Sequence, residues 1–305
     1  MSKSKIILVT GANGLLGFNT IIKLLSEDYY VKGFLRNRNK FTGVQDKRLE
    51  LIEGDLQDIE KLESALEDCY CVIHSAAITD QNILDYNDYY NVNVKGVINV
   101  TNAAIKNRVK RIIYVSTANE FGYGNLECLG NETSEMRYPY NKFFYSKSKK
   151  VAHDFLKTKL NQIEVVIVNS TFMIGAYDSK PSSGRIVLMG LKNRIIFCPP
   201  GGKNFVCVDD VSKGIINAIK KGRNGEAYLL ANQNLNFYDF FKLLKEITNG
   251  NFLIIKIPKE VLQLMGRIGS MIRMCGIKTD IYTESMTAIS INNFYSNAAV
   301  QKKSA

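Results

Sequence analysis

The chain has no tryptophan, five prolines and only two histidines, His74 and His153, among its 305 residues. Two histidines are too few for a His-rich metal centre and argue against a Ser-His-Asp hydrolase, so no metal site is expected. The six cysteines, at 69, 71, 128, 198, 207 and 275, include no C-x-x-C pair. Set in apolar runs such as "IIFCPP" and "NFVCVDD", they read as buried thiols of a reducing compartment rather than a disulfide or zinc framework. Long apolar runs are missing as well. "KIILV" is too short for a signal peptide and runs straight into glycines. "FLIIKIPKEVLQLMGRIGSMIRMCGI" is broken by Lys256, Pro258, Lys259, Glu260, Arg267 and Arg273, so a strand and an amphipathic helix are expected there, with no membrane span. Positive charge is in excess, 40 Lys and Arg against 29 Asp and Glu, a net +11. The lysines scatter over helix faces without aromatic interleaving, which favours a solvated surface over a nucleic-acid partner. A cytoplasmic globular protein is expected.

Apolar runs alternate with helical patterns through the first half. "KIILVT", "YVKGFLR", "RLELIEG", "YCVIHSAA", "VKRIIYVST" and "IEVVIVNST" read as strands. Between them, "LLGFNTIIKLLSE", "DIEKLESALEDC", "DYYNVNVKGVINVTNAAIKN" and "FFYSKSKKVAHDFLKTKL" read as helices. Val/Ile-rich strands with helical crossovers predict an α/β fold: a Rossmann-like, doubly wound parallel sheet covered on both faces. This domain is expected over residues 1–170, its sheet completed by parts of 195–232. A smaller α/β substrate lobe is expected over most of 171–305, where the rhythm loosens.

"VTGANGLLG" places Gly11, Gly14 and Gly17 between the first strand and the first helix. Gly11 permits a sharp turn, Gly14 removes a side chain where a pyrophosphate must approach the backbone, and Gly17 allows close helix–strand packing. Free N–H groups and the partial positive charge of the helix start would hold the diphosphate, with Asn13, Leu15 and Leu16 in the same turn.

With these motifs the sequence resembles the extended short-chain dehydrogenase/reductase superfamily. The motifs stand in order: "TGANGLLG", "GDL" (Gly54 to Leu56), "HSAA" (His74 to Ala77), "NVNVKG" (Asn91 to Gly96), "YVSTA" (Tyr114 to Ala118), "YSKSK" (Tyr145 to Lys149), "GGKNFVCVDDV" and "GEAYLLAN". Together with "NSTFMIGAYDSKPSSG" they look most like the dihydroflavonol-reductase-like branch, which reduces ketones and aldehydes. The resemblance implies a catalytic hydroxyl at Thr117 rather than Ser116, and adenine contact through Asp55, beside Leu56. It implies nicotinamide-flanking positions at Thr171, Phe172 and Met173. It also implies a homodimer built on the helix from about Asn82 and the helix bearing Tyr145. Relatives often carry Pro where Ser170 stands and Glu where His153 stands. They also continue through another helix or two past "YSN", where this chain ends in "AAVQKKSA".

The chemistry stands on the residues as well. Tyr145 and Lys149 are four apart on a predicted helix and share a face. An ammonium near a phenol favours the phenolate and tunes it for proton transfer to or from a substrate oxygen. Tyr138 and Lys142 repeat the spacing, but Pro139 places them in a loop or at a helix start. Arg36 stands where an acid would hold the ribose of NAD, with Arg38 and Lys40 nearby, which favours NADP, NAD remaining the other option. Ala76 and Ala77 are small enough to let a dinucleotide pass, Asn93 would fix sheet–helix geometry, and His74 reads as a core histidine. Phe172, Met173, Tyr177, Phe197 and Met265 in the second half point to an apolar substrate rather than a sugar nucleotide, core packing being the other reading for most of them. Three readings follow: an NADP-dependent reductase or dehydrogenase of a small carbonyl or alcohol, a nucleotide-sugar epimerase or dehydratase with tightly held NAD, and a non-catalytic dinucleotide sensor.

Overall fold

The structure, a computed structural model, describes residues 5–179 and 181–296. Alternation begins at once: β1 (Ile6–Thr10), α1 (Leu15–Ser26), β2 (Tyr30–Leu35), β3 (Leu49–Glu53), α2 (Ile59–Leu66) and β4 (Cys69–His74). A helical stretch follows as α3 (Tyr86–Tyr89), a wider π-type turn (Tyr90–Lys95) and α4 (Gly96–Lys106). Then come β5 (Arg111–Thr117), α5 (Phe144–Lys157), β6 (Glu164–Ser170), β7 (Phe172–Ile174), α6 (Arg185–Lys192), β8 (Ile195–Cys198) and β9 (Gly202–Cys207). The chain continues with α7 (Val208–Lys221), β10 (Ala227–Leu230), β11 (Gln233–Asn236), α8 (Phe237–Thr248), β12 (Leu253–Lys256), α9 (Lys259–Met274), α10 (Thr283–Ser290) and β13 (Asn292–Asn293).

Seven of these strands form one sheet in the order β10-β6-β5-β4-β1-β2-β3, and every neighbouring pair is parallel. This is the doubly wound α/β fold the alternation predicts. Strands such as Val165 to Val168 carry β-branched residues because both faces are covered. On one face α1 and α7 bury Ile21, Leu24, Ile215 and Ile219 against the sheet. On the other, α2, α4 and α5 bury Leu62, Val100 and Leu156. Helix α2 starts at Asp58, whose carboxylate accepts from the Lys61 N–H at 3.1 Å, a cap worth about 1 kcal/mol.

Successive strands run outward from β1 in opposite directions, so the order reverses between β1 and β4 and opens a crevice at their C-terminal ends. The chain after residue 170 divides between two places. Strand β10 and helix α7 join the large sheet and its cover. Strands β7, β9, β11 and β13 form a second sheet, and β8 pairs with β12. Helices α6 and α8 pack there around Phe205, Phe237, Phe241 and Phe252. One sequence expectation is corrected: Cys69, Cys71 and Cys198 are buried, but Cys128, Cys207 and Cys275 are exposed thiols. Cys207 ends β9, where the strand leaves the interior.

Candidate active site

The turn after β1 is built by steric exclusion. Gly11 has φ +71°, and a Cβ there would lie 2.8 Å from the Ala76 backbone. A Cβ on Gly17 would lie 2.2 Å from the Gly11 carbonyl oxygen, so Gly17 lets α1 start against the turn. Gly14 is different: it is exposed, and a Cβ there would meet only the Gly11 oxygen at 3.3 Å. It precedes α1 with no side-chain cap and no acid in the first turn. The first N–H groups of α1, from Leu15 and Leu16, therefore have no helical acceptor and no competing carboxylate. That cradle fits the diphosphate of a dinucleotide. Asn13 is half-buried on the loop, while the Leu15 and Leu16 side chains belong to the core below it.

The β4 end closes onto the same turn. Ser75 Oγ donates to the Thr10 carbonyl at 2.6 Å, and the Ala76 N–H donates to Thr10 Oγ1 at 3.3 Å. His74 Nδ1 is 2.9 Å from Thr10 Oγ1, and burial lowers its pKa to about 3, so the ring is neutral. His74 is thus a core residue. Ala76 and Ala77 are half-exposed beside the turn. Asn93, inside the π-type turn, accepts from the Ile78 N–H at 2.8 Å and donates to Ser148 Oγ at 3.0 Å. It pins the post-β4 loop to α5.

At the end of β2, Arg36 is exposed, as are Arg38 and Lys40. The acid on the neighbouring strand is Glu53, a residue the sequence reading passed over. It ends β3 opposite Leu35 and accepts the Arg38 backbone N–H at 2.8 Å. Asp55 accepts the Gln57 N–H at 2.9 Å in a turn and is exposed. Leu56 is buried, and a Cβ on Gly96 would lie 2.9 Å from it.

Thr117 stands against the Tyr145 phenol and favours its ionised form. Thr117 Oγ1 accepts the Asn119 N–H at 3.2 Å. Ser116, the alternative, points instead to the Glu120 carboxylate. Lys149 lies one turn along α5 from Tyr145, is 2% exposed, and donates to the Val115 carbonyl at 2.6 Å. Its ammonium also stands over the Tyr114 ring, 4.4 Å from the centroid. Burial lowers the Lys149 pKa to about 8, opposed by Glu120. The expectation that Lys149 depresses the phenol does not hold here. Burial, then Glu120, pushes Tyr145 up, with Thr117 acting against them. Tyr138 of the decoy pair sits at a cis peptide bond to Pro139, outside α5.

Glu120 is the second residue the sequence reading missed. It is 3% exposed, and its Oε2 is 2.7 Å from His153 Nδ1 and 3.3 Å from Asn169 Nδ2. Farther along, Thr171 Oγ1 donates to Asn204 Oδ1 at 2.8 Å. Phe172 packs edge-on against Phe205, with centroids 5.5 Å apart, and Met173 packs against the main core. Tyr177 lies against Phe18 of α1, centroids 4.8 Å apart, on the side of the glycine turn. No group of His, Cys, Asp and Glu among the described residues could hold a metal ion, and no helix among them is long and apolar enough to cross a membrane.

Residues 7–231 match the NAD dependent epimerase/dehydratase family. Sterol demethylase protein B of Methylococcus capsulatus is 29% identical over 258 residues, 84% of this chain and 78% of that protein. A putative dihydroflavonol 4-reductase of Synechocystis is 28% identical over 248 residues, 79% of this chain and 71% of that protein. The crystal structure of gox2253 superimposes with a TM-score of 0.81 at 25% identity, covering 98% of this chain and 92% of that one. The chain therefore belongs to the NAD dependent epimerase/dehydratase family and is an NAD(P)-dependent enzyme of the extended short-chain dehydrogenase/reductase type.

Proposed function

We propose that this enzyme is an NADP-dependent reductase of a ketone or aldehyde on a small, apolar substrate. The observation that carries the reading is the Thr117–Tyr145 hydroxyl pair with Lys149 one helical turn away, at the edge of the sheet where the glycine turn also lies. A bound nicotinamide supplies or takes hydride. The protein supplies the proton. The phenol that burial holds protonated is the form needed to donate to a carbonyl oxygen as negative charge develops there. The Thr117 hydroxyl can hydrogen-bond the same oxygen. Lys149, one helical turn along α5 and carrying an ammonium below a pKa of about 8, would favour the phenolate once the proton has left.

Gly11, Gly14 and Gly17 with the start of α1 would hold the diphosphate, Ala76 and Ala77 would border the dinucleotide, and Asp55 would lie by the adenine. Exposed Arg36 favours a 2′-phosphate, since Glu53 is engaged by the Arg38 backbone. Thr171 and Phe172, and beyond them Met173 and Tyr177, border the path to the substrate lobe. The similarity to a sterol demethylase protein and a putative dihydroflavonol 4-reductase supports an apolar substrate, and the similarity to a UDP-glucose 4-epimerase and to dTDP-D-glucose 4,6-dehydratases is what favours the sugar-nucleotide alternative. A homodimer built on the helical stretch from α3 to α4 and on α5 fits the exposed Tyr90 of the π-type turn and Val151 of α5.

The test is turnover of NADPH with a panel of apolar ketones, wild type beside Tyr145→Phe. Loss of 10²-fold or more in Tyr145→Phe is expected. Full turnover in that variant overturns the assignment. NAD that co-purifies and resists removal would move the reading to an epimerase or dehydratase.

A further inference from the structure

Behind Thr117 and Tyr145 lies a buried acid that the proton-transfer chemistry above does not use. Glu120 is 3% exposed and follows β5 by three residues. Its carboxylate accepts from Ser116 Oγ on β5, from Asn169 Nδ2 on β6 at 3.3 Å, and is 2.7 Å from His153 Nδ1 on α5. The same Asn169 amide donates to the Thr117 carbonyl at 3.0 Å. One carboxylate thus ties together the strand that carries Thr117 and the helix that carries Tyr145 and Lys149.

Lys149 needs such a neighbour. It is 2% exposed and, among the described residues, takes part in no ion pair; its ammonium has only the Val115 carbonyl and the Tyr114 ring. A lone buried ammonium sheds its proton unless negative charge lies close. Among the described residues, the ionisable side chains tied to it are Tyr114 from β5, His74 from β4 and Glu120, with Tyr145 and His153 one turn away on either side along α5. Glu120 alone among them offers a carboxylate.

We propose that Glu120 is a positioning residue of this site: its carboxylate fixes the strand end at Thr117 against α5 and supplies the standing negative charge that keeps Lys149 an ammonium at neutral pH. The assignment rests on the reading of Thr117, Tyr145 and Lys149 given above. Glu120 is the one group that raises the Lys149 pKa against burial, leaving it at about 8.

The experiment uses the ligand-free protein, so it stands apart from whether the reductase reading holds. A buried lysine that titrates below its unfolded value makes stability rise with pH, because the unfolded chain then binds the extra proton. Buried Cys69, Cys71 and Cys198, whose pKa burial raises, lower stability in the same range, so the Lys149 contribution is read as the urea-midpoint difference between wild type and Lys149→Met from pH 6 to 9, which should rise from about pH 8. In Glu120→Gln, which keeps size and hydrogen bonding but removes the charge, the rise should begin about one unit lower. Glu120→Asp should keep the wild-type onset. Coincident onsets in Glu120→Gln and wild type overturn the proposal.

Should Glu120→Gln fold too poorly to titrate, the wild-type imidazoles decide. With two histidines in the chain, NMR resolves both, His74 serving as the reference. A His153 Nδ1 signal typical of a carboxylate hydrogen bond supports the clamp. An imidazole signal without such a bond overturns it.

Discussion

Lys149 donates its ammonium to the main-chain carbonyl of Val115, 2.6 Å away and two residues before Thr117. A charge held this deeply is costly: burial lowers its pKa to about 8 even with Glu120 opposing. Lys149→Met keeps the bulk and removes the charge, so it should raise the melting temperature while cutting turnover by about 10²-fold or more. Calorimetry beside a turnover assay checks both halves. A variant that loses stability along with activity would mean that Lys149 is a structural strut.

Arg36 stands exposed at the end of β2. A guanidinium bonded to a dianionic phosphate contributes about 1.5–3 kcal/mol. Arg36→Asp should therefore weaken NADPH binding by roughly 10- to 100-fold and leave NADH within a few-fold, read by nicotinamide fluorescence. Equal losses for both nucleotides would remove Arg36 from the 2′-phosphate.

Much of this architecture was legible because parallel strands buried on both faces must be continuous apolar runs, as in "VVIV" of β6 and "IIYV" of β5. The glycine turn was legible because each glycine answers a separate steric demand. The second sheet was not, since β7, β11 and β13 are short and β9, β11 and β13 carry Asn where an apolar run would have marked a strand. Their pairing is set by long-range contacts such as Asn204 to Asn234 at 2.8 Å, which no local pattern announces. Glu120 was overlooked because one acid after an apolar strand reads as loop. The signal was His153: an imidazole buried on α5 needs a polar partner, and Glu120 is that partner.

The three glycines should separate by function. Alanine at Gly17 drives a Cβ to 2.2 Å from the Gly11 oxygen, backbone against backbone, where nothing flexible can yield. That protein should be destabilised by several kcal/mol or fail to accumulate. Alanine at Gly14 meets one atom at 3.3 Å on an exposed turn and should fold with near-wild-type stability, yet bind dinucleotide at least tenfold more weakly. Unfolding curves and fluorescence titrations distinguish the two, and tight binding by Gly14→Ala would move the diphosphate away from this turn.

His74 makes acid stability predictable. Burial lowers its pKa to about 3 from an ordinary value of 6.5, with the Lys149 ammonium adding in the same direction. Below pH 6.5 the unfolded chain takes a proton that the folded ring refuses. The stability tied to neutral His74 is therefore complete above pH 6.5 and drains as pH falls toward 3, by a few kcal/mol in all. His74→Asn keeps a short polar side chain beside Thr10 and cannot titrate. Its unfolding free energy should start lower than wild type at pH 7, and its slope between pH 6.5 and 4 should be shallower by up to about 1.4 kcal/mol per unit. Parallel slopes would mean that His74 accepts its proton in the folded protein, so that the Thr10 hydrogen bond is remade around an imidazolium.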